Sequence, residues 1–214
     1  HTPFQGPNDY IDRPLTNEEW GSKNRSRKTY AEMVEEMDRG IGEILTLLKR
    51  KSLDQNTIVV FFSDNGGTKI ANNGIYSGFK GDVYEGGIRV PCIVRWPEKI
   101  PNNTESDQFS VSFDLTFSFL KHAGVDPEPL NLDGFDIIGH VISYSPDFKR
   151  TMFWRTKREQ WVRKAVREGD MKLIIESVAG NLITKKLFNI KKDPSESNNL
   201  IEKYPGATES LIKK

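Results

Sequence analysis

Residues 57–91 read TIVVFFSDNGGTKIANNGIYSGFKGDVYEGGIRVP, and the fold turns on them. Ile58, Val59, Val60, Phe61 and Phe62 form an unbroken β-branched and aromatic run, the pattern of a strand buried on both faces inside a parallel sheet. Ser63-Asp64-Asn65-Gly66-Gly67 ends that run. A carboxylate and an amide oxygen therefore stand where a buried strand gives way to a glycine-rich turn, the edge at which open α/β sheets bind ligands. Both are hard oxygen donors suited to Ca²⁺ or Mg²⁺. Further on, Lys80 sits in Gly78-Phe79-Lys80-Gly81, a cation on a flexible loop able to return to the same edge. Taken alone, Asp64-Asn65 also fits an ordinary turn in which Asp and Asn cap their own backbone, and Lys80 a solvated surface charge.

Outward from this stretch the chain reads as follows. Residues 1–20 are rich in Pro, Asn and Asp and lack periodicity, the signature of a loop. Between Asn24 and Lys51, Tyr30, Met33, Val34, Met37, Ile41, Ile44, Leu45 and Leu48 recur at three- and four-residue steps, which predicts an amphipathic helix with its apolar stripe in the core. Ser26 or Thr29 caps it, Glu32 completing a capping box with Thr29, and its basic residues near the C-terminal end suit the helix dipole. Val90 to Trp96 is a second short strand, in which Cys92 reads as a buried small hydrophobe. Phe113 to His122 is helical and ends at Gly124, with His122 complementing the dipole. Leu132 to Asp147 reads as irregular connection. Met152–Trp154, Trp161–Arg167, Met171–Glu176 and Leu187–Ile190 are strand candidates, the second and third joined by a Gly169-Asp170 turn. Trp154 and Trp161 are expected in the core of this smaller sheet. Pro205 to Lys214 reads as a short terminal helix.

The 31 Lys and Arg against 30 Asp and Glu in 214 residues give no electrostatic reason to expect a nucleic acid or an anionic membrane as partner. Apolar runs fall well short of a membrane span, and the single cysteine, Cys92, makes no internal disulfide. No signal peptide is recognisable and the first residue is not Met, so the numbering is expected to start inside a longer precursor or at a cut.

Several spaced segments together resemble the later half of a type I sulfatase, in the alkaline-phosphatase-like superfamily, of the arylsulfatase B-like and bacterial exported kind. They are Ser63-Asp64-Asn65-Gly66-Gly67, the run from Gly78 to Pro91, His1-Thr2-Pro3-Phe4-Gln5, Leu132-Asp133-Gly134, Ala165 to Ile174, Leu187-Phe188-Asn189 and Asp193-Pro194. The resemblance covers nearly the whole chain. It implies an α/β fold: part of an alkaline-phosphatase-like mixed sheet flanked by helices (1–130), then a small C-terminal antiparallel-sheet subdomain (131–214).

The resemblance further implies that Asp64 and Asn65 ligate Ca²⁺, with Mg²⁺ as the alternative. Lys80 would contact the sulfate or its bridging oxygen, and His1 would bind sulfate or protonate the leaving alcohol. Glu85, Arg89 and Asp133 are expected in structural ion-pair or turn roles. Sulfatases use a formylglycine made from Cys or Ser in a Cys/Ser-x-Pro-x-Arg signature. Cys92 is followed by Ile93, Val94 and Arg95, and Ser145-Pro146 has the wrong spacing. The nucleophile and the paired aspartates of the metal site are thus expected in a missing N-terminal part, and this chain alone is expected to be inactive. The implied partners are a sulfated small molecule or glycan and that N-terminal part, with self-association through an exposed sheet edge. Family habit places such enzymes in the periplasm or outside the cell. A phosphodiesterase or phosphonate hydrolase of the same superfamily, and a non-catalytic fragment binding sulfated glycans, stand as alternatives.

Overall fold

The computed structural model describes Phe4 and residues 26–214. Helix α1 (Arg27–Arg50) starts at Ser26, whose hydroxyl accepts from the Thr29 backbone N–H at 3.0 Å. Ser26 rather than Thr29 is therefore the cap. The helix forms as its periodicity requires, yet none of its residues is buried. Val34, Met37, Ile44 and Leu47 are exposed, so the stripe expected in the core lies open, because no second layer among the described residues covers it. Phe4 meets Tyr30 with ring centroids 5.9 Å apart.

Strand β1 (Val59–Phe62) pairs antiparallel with β2 (Cys92–Arg95) in a two-stranded sheet. This corrects the expectation of a parallel strand buried on both faces. Phe62 is 41% and Ile93 62% exposed, and Cys92 is exposed rather than buried. The unbroken apolar run is consistent with burial on two faces, but the described residues supply no cover for them.

Between the strands lie the Lys80 loop and the one-turn helix α2 (Glu85–Ile88). After β2 come α3 (Ser112–His122), a 3-10 turn (Glu128–Leu130) and α4 (Ile137–Ile142). The segment expected to be irregular thus contains a helix. Asp136 caps α4 by accepting from the Gly139 N–H at 2.8 Å. At the end of α3, Gly124 takes φ +82°, and His122 Nε2 lies 3.3 Å from Asp136 Oδ1, so it meets a carboxylate as well as the helix terminus.

The remaining strands are β3 (Thr151–Arg158), β4 (Trp161–Glu168), β5 (Met171–Val178) and β6 (Asn181–Asn189), an antiparallel sheet in sequential order. Strand alternation gives it two dressed faces. On one face Ala165, Ile174 and Phe188 pack with Val83, and Tyr84 and Trp154 border them. On the other, Val166, Leu173 and Leu187 pack under Leu211 of α5 (Pro205–Ile212). The sheet is thereby held between the Lys80–Ile88 region and the C-terminal helix. Trp154 joins this core as expected, but Trp161 is 49% exposed at the end of its strand.

A buried ion pair ties α3 to the start of β3. Fully buried Asp114 receives both Arg150 guanidinium nitrogens, at 2.6 and 2.9 Å, together with the Val111 and Phe135 N–H groups at 2.8 and 3.1 Å.

Candidate active site

Strand β1 delivers Ser63–Gly67 at its C-terminal end. Ser63 Oγ donates to the Asn65 carbonyl at 2.8 Å, and Asn65 Nδ2 to the Gly66 carbonyl at 3.0 Å. The amide nitrogen is thus engaged locally. Asp64 is exposed and Asn65 half-buried.

Gly66 donates its N–H to the Gly87 carbonyl at 2.9 Å. A Cβ at Gly66 would fall 1.8 Å from the Gly86 carbonyl oxygen, so two glycine segments distant in sequence touch backbone to backbone, which only glycine permits.

The Lys80 loop returns to this turn. The Lys80 N–H donates to the Gly67 carbonyl at 2.8 Å. Asn73 clamps the two segments: its Oδ1 accepts from the Gly67 N–H at 2.9 Å, and its Nδ2 donates to the Gly67 and Gly78 carbonyls at 3.3 and 3.2 Å. Lys69 Nζ sits 4.9 Å from the centroid of the Phe79 ring, holding the residue before Lys80. The Lys80 side chain is half-buried, and among the described residues no carboxylate pairs with it. Sequence reasoning singled out Asp64, Asn65 and Lys80, and the backbone of Lys80 is bonded to Gly67, two residues past Asn65. It did not single out Asn73, whose only signal was its place in an Asn-Asn-Gly turn. His1 lies outside the described residues.

Beneath the loop a buried charge cluster fixes α2. Lys172 Nζ of β5 reaches Glu85 Oε1 at 2.8 Å and Glu196 Oε1 at 2.9 Å, all three side chains being buried. The approach to Glu196 is off the hydrogen-bond direction, so that oxygen has charge contact without a directed bond. Glu196 Oε2 accepts from the Glu85 N–H at 2.6 Å. Arg89 and Arg167 each stand 3.8 Å from Glu85 Oε2. Burial, opposed by Lys172, pushes the Glu196 carboxyl above the ordinary carboxylate range. Its backbone is left-handed, φ +54°, an uncommon conformation for a non-glycine residue. The neighbouring Ser195 carbonyl accepts from Ser77 Oγ at 2.6 Å. The structural role expected of Glu85 is thus realised with partners that sequence reading missed. Lys172 gave one signal: it shares a strand face with Ile174 and so points inward.

Asp64 and Asn65 suit a hard divalent ion in kind but not in number, since such ions take six or more oxygens. No cluster of three or more His, Cys, Asp or Glu able to hold a metal occurs among the described residues.

With this geometry in hand, comparison with known proteins is decisive. The family model described as Sulfatase matches residues 1–125, and that described as N-sulphoglucosamine sulphohydrolase, C-terminal, matches residues 75–213. The chain belongs to the sulfatase family. An uncharacterized sulfatase of Schizosaccharomyces pombe is 28% identical over 92% of this chain and 44% of its own length. The N-acetylgalactosamine-6-O-sulfatase of Bacteroides thetaiotaomicron is 30% identical over 86% of this chain and 40% of its own. The crystal structure of Ps i-CgsB, solved in complex with k-i-k-neocarrahexaose, superposes with a TM-score of 0.82 at 30% identity, covering all of this chain and 46% of the other. The sulfatase chain described here therefore spans less than half the length of these relatives, and its mixed α/β architecture is theirs. No helix among its described residues is long and apolar enough to cross a membrane.

Proposed function

We propose that this chain is the part of a sulfate-ester hydrolase that grips the metal and the sulfate, acting on a sulfated sugar or an aryl sulfate. One observation carries the reading: the Asp64-Asn65 turn and Lys80 are joined backbone to backbone through the Lys80 N–H and the Gly67 carbonyl, 2.8 Å apart.

Hydrolysis of a sulfate ester needs the sulfate oxygens neutralised, sulfur attacked and the leaving oxygen protonated. The Asp64 carboxylate and Asn65 carbonyl would hold Ca²⁺, or Mg²⁺ in its place, and such an ion would supply charge neutralisation of the sulfate oxygens. The Lys80 ammonium adds a second positive contact to the sulfate or the bridging oxygen. His1 binds sulfate or gives its proton to the departing alcohol, a role imidazole fills near neutral pH.

No Cys/Ser-x-Pro-x-Arg segment occurs in the 214 residues. The formylglycine nucleophile and the remaining metal ligands therefore come from polypeptide outside them, with the exposed faces of α1 and the β1–β2 sheet as the surfaces it covers. Uncovered, these faces lead the isolated chain to self-associate. The enzyme works in the periplasm or outside the cell, as sulfatases of the exported kind do.

The reading is tested by comparing turnover of 4-nitrophenyl sulfate and 4-nitrophenyl phosphate. A longer protein containing this chain is expected to cleave the sulfate in preference, and the isolated 214 residues neither. Preference for the phosphate, or sulfate turnover by the isolated chain, would overturn it.

A further inference from the structure

We propose that the tip of the β3–β4 hairpin is a second sugar subsite beside the candidate active site. There Arg158 would grip an anionic substituent and Trp161 would stack on the ring next to the one bearing the scissile ester. This rests on the reading above, which puts the ester sulfate at Asp64 and Lys80, and it favours a sulfated oligosaccharide over a small aryl ester as substrate.

Sheet register fixes the direction in which these side chains point. Arg158 and Trp161 are directly paired across the hairpin, as are Thr156 with Arg163 and Trp154 with Ala165. Directly paired residues share a face of an antiparallel sheet. Ala165 packs with Val83, and Arg163 bonds Asp82 at 3.1 Å. Arg158 and Trp161 thus end the face turned toward the Lys80 loop.

The Arg158 guanidinium completes the approach: a Cβ at Gly81 would lie 2.6 Å from its Nη2. Gly81, at φ +86°, leaves the space that the guanidinium fills next to Lys80.

Two features set Arg158 and Trp161 apart from their neighbours. One rung inward, Arg163 is neutralised by Asp82 and by Glu176, the latter at 2.7 Å. Among the described residues no carboxylate pairs with Arg158 or with Lys80, and the Arg158 guanidinium lies against Gly81, the residue after Lys80. Trp161 keeps half its surface in solvent although the other tryptophan of the sheet, Trp154, is packed. A planar guanidinium matches the oxygens of a sulfate or carboxylate in bidentate fashion. An exposed indole presents a broad apolar face at low cost in conformational entropy. A charged sugar polymer offers both an anionic substituent and an apolar ring face.

The test is direct binding to the longer protein containing this chain of sulfated hexasaccharides of the chondroitin, heparin and carrageenan types, each beside its desulfated counterpart. At least one sulfated hexasaccharide is expected to bind and its desulfated form not. Arg158→Ala and Trp161→Ala should each weaken binding at least 10-fold, Arg158→Lys less. Thermal midpoints should stay unchanged, because both side chains are exposed. Absence of binding by every sulfated hexasaccharide, or equal affinity in wild type and both alanine variants, would overturn the subsite.

Hydrolysis of 4-nitrophenyl sulfate by the longer protein reads the Asp64–Lys80 site separately. If no ester is cleaved while hexasaccharide binding still depends on Arg158, the hydrolase reading falls and the subsite stands.

Discussion

Replacing Lys172 by methionine is expected to lower the stability of the chain by about 3–5 kcal/mol, the cost of leaving buried carboxylates without their cation. Lys172 is fully buried between Glu85 and Glu196, at 2.8 and 2.9 Å. Methionine matches its length but leaves both carboxylates facing an apolar neighbour, with two guanidinium groups no nearer than 3.8 Å to Glu85. The loss would appear as a lower urea midpoint. Adding Glu85→Gln and Glu196→Gln to Lys172→Met should restore part of it, because these residues share one network and their effects do not add. A loss under about 1 kcal/mol, in the range of a surface ion pair, would contradict the description of this cluster.

The same cluster sets a pH dependence. Burial, against the pull of Lys172, holds the Glu196 carboxyl above its ordinary pKa. A carboxyl raised in the folded state contributes stability that is fully present below its unfolded pKa, about 4.3. That contribution is lost as pH rises through the folded value. Glu196→Gln does not titrate and keeps an acceptor for the Glu85 N–H. Its thermal midpoint should therefore gain on that of the parent as pH rises from about 4.3. A gap that stays constant across that window would remove the raised pKa from the explanation.

The second large effect concerns chemistry. In the longer hydrolase, Asp64→Ala and Lys80→Ala are each expected to lower kcat on 4-nitrophenyl sulfate by about 10²–10³, the range for deleting one group aimed at developing transition-state charge. Asp64 is exposed and Lys80 half-buried, so the thermal midpoint should hardly move, which separates a role at the sulfate from one in folding. Changes under about ten-fold in kcat would place neither residue at the reacting group.

Much of the site was legible because its chemistry is local in sequence. Ser63-Asp64-Asn65-Gly66-Gly67 ends a strand in a glycine-rich turn, whereas the bond from the Gly66 N–H to the Gly87 carbonyl at 2.9 Å shows only in the structure. The C-terminal sheet was legible from its short apolar runs and the Gly169-Asp170 turn. The buried cluster was less so, since Lys172 and Glu196 look like surface charges until register and the left-handed turn at Glu196 turn them inward. Helix α4 was hidden because its six residues are too few for periodicity to speak, and Asp136 signals a cap only once the helix is known. The burial assigned to Cys92, Trp161 and the α1 stripe failed for one reason: apolar sequence reports what seeks cover, while the cover itself is supplied by other parts of a fold.

Asp64, Asn65 and Lys80 are expected to form one site for a cation and the anion it neutralises. A direct measurement is paramagnetic broadening of backbone amide NMR signals of the longer protein containing this chain as Mn²⁺ is added to millimolar levels. The amides of Asp64, Asn65 and Gly66 should broaden together with those of Lys80 and Gly81, and Asp64→Ala should abolish both effects at once. Broadening at residues 64–66 that leaves 80 and 81 sharp, or broadening centred elsewhere in the chain, would contradict it.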